Sequence, residues 1–259
     1  MVDLIENDEH FILVSLLLTV CMQMSFFAVA YTLQIDKLTD FAGTSNFLIL
    51  AIITLWLGGD FSFPRIIASL MVILWSLRLG IYLSYRIGAW GKDNRFDKIR
   101  TKFWSFLGFW VLQILWVFLT SLPVIYFNSL ENREYDLVPM SYLGIGMFAI
   151  GFIIEAWADY TKFNHKLHGK KWCHTGLWKY SRHPNYFGNI LLWFGVFIFC
   201  YTYGVPLWTI IGPLWTTFLL LFVSGIPFLE ASADKKYGED AEYLKYKAET
   251  AILIPRFKL

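Results

Sequence analysis

The sequence predicts an all-α, polytopic membrane helix bundle of about seven transmembrane helices, with the N-terminus outside and the C-terminus inside. Three observations predict it: seven long apolar stretches in 259 residues, a composition of 57% hydrophobic against 16% charged residues, and a one-sided distribution of Lys and Arg. A hydrocarbon core of about 30 Å takes roughly 20 apolar residues to cross as a helix. The stretches fall at 11–33, 46–57, 64–85, 103–127, 140–160, 186–203 and 206–228. The second is too short to cross unaided. It is expected to borrow residues 58–63 or to lie tilted among its neighbours, which leaves six spans as the alternative count.

Seven spans place successive loops on alternate sides, and 19 of the 22 basic residues then share one side. That side receives Lys37, the cluster at 86–102, the cluster at 162–182, and Lys235, Lys236, Lys245, Lys247, Arg256 and Lys258. The other side receives Arg65 and Arg133, while Asp3, Glu6, Asp8 and Glu9 make the N-terminus acidic. Basic loops face the cytosol, or the matrix in a mitochondrial membrane, which sets the orientation. Topology and attraction to anionic lipid head groups account for most of these cations.

No linker rich in Pro, Ser or Gly and no evident repeat divides the chain, so residues 1–259 are expected to form one membrane domain. The segment before Phe11 lacks the basic n-region of a signal peptide and the Arg-rich pattern of a transit peptide, and the first helix serves as its own insertion signal. Cys21, Cys173 and Cys200 are scattered and form no disulfide framework. His165, His168, Cys173 and His174 match no common zinc spacing, and no metal is expected. No glycine-rich phosphate loop is present. Trp56, Trp75, Trp193 and Trp208 read as interfacial belt and bundle packing.

The polar residues inside apolar segments carry the functional signal. Glu155 and Asp159 lie four apart, on one helical face, where the fifth span meets the interface. Carboxylates at that depth are costly unless a cavity or a partner receives them, and Arg78 in the third span raises the same question. Salt bridging inside the bundle and ligand contact are equally open readings of all three. Residues 175–189 enter the sixth span with Arg182, a fork suited to phosphate, His183, a titratable ring, Pro184, a preset helix start, and Asn185, an amide that donates and accepts. Such density at a membrane entrance points to an anionic cofactor or substrate, with a structured interfacial turn as the alternative.

These segments resemble the DUF1295 branch of the steroid 5-alpha-reductase superfamily. The resemblance runs through the blocks 36–43, 46–47, 90–97, 121–124, 181–188, 224–227, 236–238 and 253–255. It implies an NADPH-dependent reductase of lipid or steroid double bonds, with a cofactor pocket opened toward the cytosol by the later helices. By the same resemblance Asp159 lies near the adenosine half, and Lys162 or Lys166 takes phosphate, with Arg182, His183 and Tyr186 beside them at the entrance. Asn185 lies near the nicotinamide, and Tyr237 and Tyr246 close the pocket. In the steroid reductases a tyrosine of the third span and a glutamate after the first polarise the substrate carbonyl. Here Tyr85, or Tyr82 one turn earlier, is the matching tyrosine, and Asp40 or Asp36 stands for the glutamate. Two positions depart from the family pattern: Asn189 replaces an acid and Ser232 an arginine, both removing charge from the expected pocket.

The leading expectation is a membrane oxidoreductase that passes hydride from NADPH to a conjugated C=C of a lipid or sterol-like substrate. The alternative is a non-catalytic accessory subunit of a larger membrane complex, for example in the mitochondrial inner membrane, that keeps the reductase fold. Isoprenylcysteine-type methyltransferases share the Arg-His-Pro entrance and would bind S-adenosylmethionine, although the blocks before residue 130 differ from theirs. The expected partners are membrane lipids, the lipid substrate and other subunits of a complex, with no nucleic acid. The endoplasmic reticulum, a bacterial inner membrane and the mitochondrial inner membrane all fit.

Overall fold

The computed structural model describes residues 8, 10–90, 96, 98–131, 136–169 and 171–256. Residues 91–95 and Asp97 of the sequence block at 90–97, and Asp3, Glu6, Glu9, Arg133, Lys170 and Lys258 of the charge pattern, lie outside them. The chain folds into helices α1 (Ile12–Leu33), α2 (Leu38–Gly58), α3 (Phe63–Trp90), α4 (Phe103–Ser129), α5 (Pro139–Leu167), α6 (Pro184–Thr202), α7 (Ile211–Phe218), α8 (Ile226–Tyr237) and α9 (Ala241–Glu249). Short 3-10 turns occupy Gly176–Lys179 and Leu207–Ile210, and a π turn occupies Leu219–Val223. Among the described residues there is no strand, only an isolated parallel bridge between Ser181 and Ala251. Seven segments are long and apolar enough to cross a membrane: α1 to α6 and the composite Leu207–Tyr237. The protein is therefore a polytopic, all-α integral membrane protein.

The second and seventh spans are longer than their apolar stretches. α2 gains its length at the N-terminal end, starting at Leu38, and of residues 58–63 it takes up only Gly58. The hydroxyls of its polar first turns are satisfied within the helix: Thr44 Oγ1 donates to the Asp40 carbonyl at 2.9 Å and Ser45 Oγ to the Phe41 carbonyl at 2.6 Å. Gly59, at φ +65°, caps the C-terminal end and stops the helix. The seventh span extends past residue 228 because Pro227, in the first turn of α8, starts a fresh helix that runs into polar sequence.

The chain divides into two compact units, residues 1–142 with 196–212, and residues 143–195 with 213–259. The first unit contains α1 to α4. Phe27, Ala30, Ala42, Phe96, Phe106 and Trp110 form an apolar cluster there. Beside it runs a chain of buried amides: Gln113 Nε2 donates to Gln23 Oε1 at 3.0 Å and Gln23 Nε2 to Asn46 Oδ1 at 3.0 Å. A second polar node joins Asn128 Nδ2 to Thr54 Oγ1 at 2.9 Å and to Ser69 Oγ at 3.2 Å. Arg65, fully buried, donates to the carbonyls of Leu130 and Glu131 and pairs with Asp60. Hydrocarbon offers no hydrogen bonds, so such amides fix helix against helix, at about 0.6–2 kcal/mol each.

In the second unit α5 and α6 run antiparallel at backbone contact distance. A Cβ on Gly188 would lie 2.6 Å from the Gly151 carbonyl oxygen and 2.7 Å from the Glu155 nitrogen; one on Gly151 would lie 2.5 Å from the Gly188 oxygen. Only hydrogen fits at either position. This approach carries the polar ends of the two helices past each other in register. Gly188→Ala is therefore expected to destabilise the protein by about 1–3 kcal/mol through overpacking, read as a lower thermal midpoint of the detergent-solubilised protein.

Candidate functional site

Closeness of α5 and α6 places two acids of one helix opposite two amides of the other. Asn185 Nδ2 donates to Asp159 Oδ1 at 3.1 Å, and Asn189 Nδ2 donates to Glu155 Oε1 at 3.3 Å. Glu155 and Asp159 are 4% and 6% exposed, so each amide lies against a buried carboxylate. Asn185 Oδ1 is buried and accepts no hydrogen bond among the described residues. Its amide is thus oriented by Asp159 with the carbonyl end available to a donor.

One turn before this ladder, Arg182 and His183 converge on Glu230 of α8. Arg182 reaches the Glu230 carboxylate through Nε at 3.2 Å and a terminal nitrogen at 3.0 Å. The other terminal nitrogen donates to the carbonyls of Lys247 and, at 3.0 Å, Thr250. The backbone continues the clasp: Arg182 N donates to the Ala251 oxygen at 2.8 Å, Ser181 Oγ to the Leu253 oxygen at 2.7 Å, and Arg256 N to the Tyr180 oxygen at 3.0 Å. The C-terminal segment is thereby strapped along residues 180–182. Lys247 also pairs with Asp234, which accepts from the Tyr243 hydroxyl at 3.1 Å.

His183 Nε2 lies 2.8 Å from Glu230 Oε1, and its ring stacks on Tyr186 at 5.5 Å. Burial pushes the imidazole below its ordinary value; the bond to Glu230 opposes that shift, and the nearby cations Lys162 and Arg182 add to it. Tyr246 donates to the Trp178 carbonyl at 2.8 Å, and burial pushes its phenol up, so it remains a neutral donor. Lys162 Nζ lies over the Trp178 ring at 4.7 Å, and the Trp178 indole donates to the Ala158 carbonyl at 2.9 Å. Tyr237 donates to the Lys171 carbonyl at 3.1 Å and packs its ring against Trp172 and Tyr243. Lys171 in turn pairs with Asp240, the N-cap of α9.

Asp159, Lys162, Arg182, His183, Asn185, Tyr186, Tyr237 and Tyr246 all belong to the second unit, and Lys166, on the same α5 helix, is exposed. Tyr82, Tyr85 and Asp40 belong to the first. Tyr85 is 66% exposed and Tyr82 half-buried on α3, while Asp40 pairs with Arg86 at 2.9 Å and Asp36 with Arg100 at 3.1 Å. Glu230 is the central residue that sequence reasoning passed over. It lies two residues past the seventh apolar stretch, so the test that singled out Glu155 and Asp159, an acid inside an apolar stretch, did not reach it. Ser232, the other altered position, is exposed on α8. His165 and His174 meet edge to face at 5.5 Å, and no metal-holding group of three or more His, Cys, Asp and Glu occurs among the described residues.

Fold and site together define a polytopic membrane protein with a strapped, charge-paired entrance at the start of its sixth long helix. The chain belongs to the DUF1295 family, described as "Protein of unknown function (DUF1295)", which matches residues 26–250. It is similar to a Schizosaccharomyces pombe protein described as "Uncharacterized protein C594.04c", 23% identical over 259 residues that cover 87% of this chain and 73% of that one. No solved structure matches.

Two outcomes follow from the clasp. Glu230→Gln leaves the partly buried Arg182 without its counter-charge and is expected to cost about 2–4 kcal/mol, with the segment after Thr250 becoming cleavable by protease under native conditions. Because the folded state disfavours His183 protonation, its contribution is complete above the ordinary histidine value of 6.5 and is lost as pH falls below it. Thermal midpoints taken from pH 8 down to pH 5 should therefore fall more steeply in the wild type than in His183→Gln.

Proposed function

We propose that this DUF1295 protein is a steroid 5-alpha-reductase-like membrane oxidoreductase that transfers hydride from NADPH to a conjugated C=C of a lipid or sterol-like substrate. The observation that carries the reading is Asn185. Its amide nitrogen is held by Asp159 while its buried carbonyl oxygen has no partner among the described residues. A carboxamide NH2, such as that of nicotinamide, matches an oriented buried acceptor of this kind. His183, held by Glu230 and stacked on Tyr186, fixes the backbone one residue ahead of Pro184.

Fit at the phosphate end is narrower. Arg182 already binds Glu230 and two carbonyls, so in this reading phosphate falls to Lys162 and Lys166. Bound NADPH would supply a hydride to the β-carbon of an enone. The chain would supply a hydrogen-bond donor to the carbonyl oxygen. By the family resemblance that donor is Tyr85 or Tyr82, with Asp40, ion-paired with Arg86, acting by positioning. An N-out, C-in orientation puts the entrance and its lysines on the cytosolic or matrix side.

One observation favours a second reading. The Arg182 donors are satisfied within the chain, which closes the entrance with its own C-terminal segment. A protein that has left catalysis behind and serves as an accessory subunit of a membrane complex would keep such a clasp.

Titrating the purified protein with NADPH, NADP and S-adenosylmethionine against thermal stability separates the readings. Ligand at about 100 times its dissociation constant adds about 2.7 kcal/mol. The reductase reading expects that shift with NADPH, weakened up to about tenfold in affinity by Asn185→Ala, the worth of one hydrogen bond. A shift with none of the three favours the accessory subunit, and a shift with S-adenosylmethionine alone a methyltransferase.

A further inference from the structure

Ser15 Oγ, Asn46 Nδ2, Trp110 Nε1 and Ser121 Oγ are four of the buried polar side-chain atoms of the first unit that have no hydrogen-bond partner among the described residues. Ser15 is 1% exposed, Asn46 and Trp110 are 0% and Ser121 is 3%. They lie on α1, α2 and α4, the helices joined by the Gln113–Gln23–Asn46 chain.

Helix register groups them into two levels. α1 and α4 are antiparallel, because Gln23 meets Gln113 while His10 meets Ser129. Asn46 is bonded to Gln23, and Trp110 precedes Gln113 by one turn, with its ring against Phe27. Those two atoms share the Gln23 level. Ser15 lies eight residues before Gln23 on α1, and Ser121 lies eight after Gln113 on α4, so these two share a second level about 12 Å away at 1.5 Å per residue. Thr19, fully buried on the same face of α1, lies between them.

A polar atom left unpaired in apolar surroundings is costly, and four in one bundle is a concentration that native proteins relieve with ordered water. Acyl chains cannot donate or accept, and lipid head groups are too large for an interior closed to this degree. Water meets each need: it accepts from the Asn46 amide and the Trp110 indole, and it exchanges bonds with either serine hydroxyl. We propose that α1, α2 and α4 bind internal water at both levels, so that the first unit is a hydrated polar seam within its apolar exterior. The protein amides then serve as fixed walls for that water as well as ties between helices.

Two measurements on the intact protein in lipid nanodiscs test this. Radiolytic hydroxyl labelling should modify Trp110 despite its burial, and the near-isosteric Asn46→Leu should abolish that modification while exposed Trp104 is still labelled. Trp110 left unlabelled in the wild type beside labelled Trp104 would overturn the proposal. Ser15→Ala and Ser121→Ala provide a second reading that does not depend on Asn46→Leu folding. A hydroxyl bonded to water leaves the thermal midpoint unchanged or lower when deleted, as the proposal expects. A hydroxyl that is dry and unpaired is itself a burden, so a raised midpoint in both serine variants would refute internal water at that level.

Discussion

Placing two carboxylates inside an apolar helix is the constraint on which the second unit depends. Glu155 and Asp159 are nearly inaccessible, and at such a depth an acid without a partner costs several kcal/mol. The amides of Asn189 and Asn185 meet them from α6, but an amide is short, and it reaches only if the two backbones come close. Gly151 and Gly188 make that approach sterically allowed. Glycine packing and polar pairing are thus one device: neither the close helix contact nor the buried acids would persist without the other.

The same dependence changes the meaning of Asn189. Read along the chain, an asparagine in place of an acid removes charge from the expected pocket. Read across α5 and α6, the acid is still there, carried by Glu155, and Asn189 is the residue that faces it. A carboxylate at both positions would oppose two like charges in a dry interface. The altered position therefore preserves a charge-to-amide pair, and loss of the site does not follow from it. Arg182 carries the opposite lesson. Its sequence context suggests a free phosphate fork, whereas its guanidinium is neutralised by Glu230 and turned onto the carbonyls of Lys247 and Thr250.

Sequence was most informative where one helix decides the outcome. The apolar runs located the seven long segments, and the acids at 155 and 159 marked the right face of α5. It was least informative where a contact joins residues distant along the chain. The polar first turns of α2 satisfy their hydroxyls within the helix, which hydropathy does not register. Residues 180–182 and 250–256 each read as loop, and only their mutual pairing makes a strap of them. Glu230 lay two residues past the seventh apolar stretch, and its partners lay 47 and 48 residues away along the chain.

Both units solve the problem of polar groups in hydrocarbon, with different chemistry. The second pairs charge with amide or with charge, at Asp159, Glu155 and Glu230, and so fixes a few side chains in single orientations. The first adds to its ion pairs, Arg65 with Asp60 and Arg100 with Asp36, a run of uncharged groups, Gln23, Asn46, Gln113, Thr54 and Asn128, spread along three helices. Charge pairing holds a group rigidly and suits an entrance where one acceptor, Asn185 Oδ1, must be presented in a defined direction. Neutral amides and hydroxyls exchange partners at small cost and tolerate water, which suits a helix interface that must stay polar without presenting one side chain in a fixed direction. Charge pairing therefore orients the side chains it holds, while the neutral run across α1, α2 and α4 accommodates.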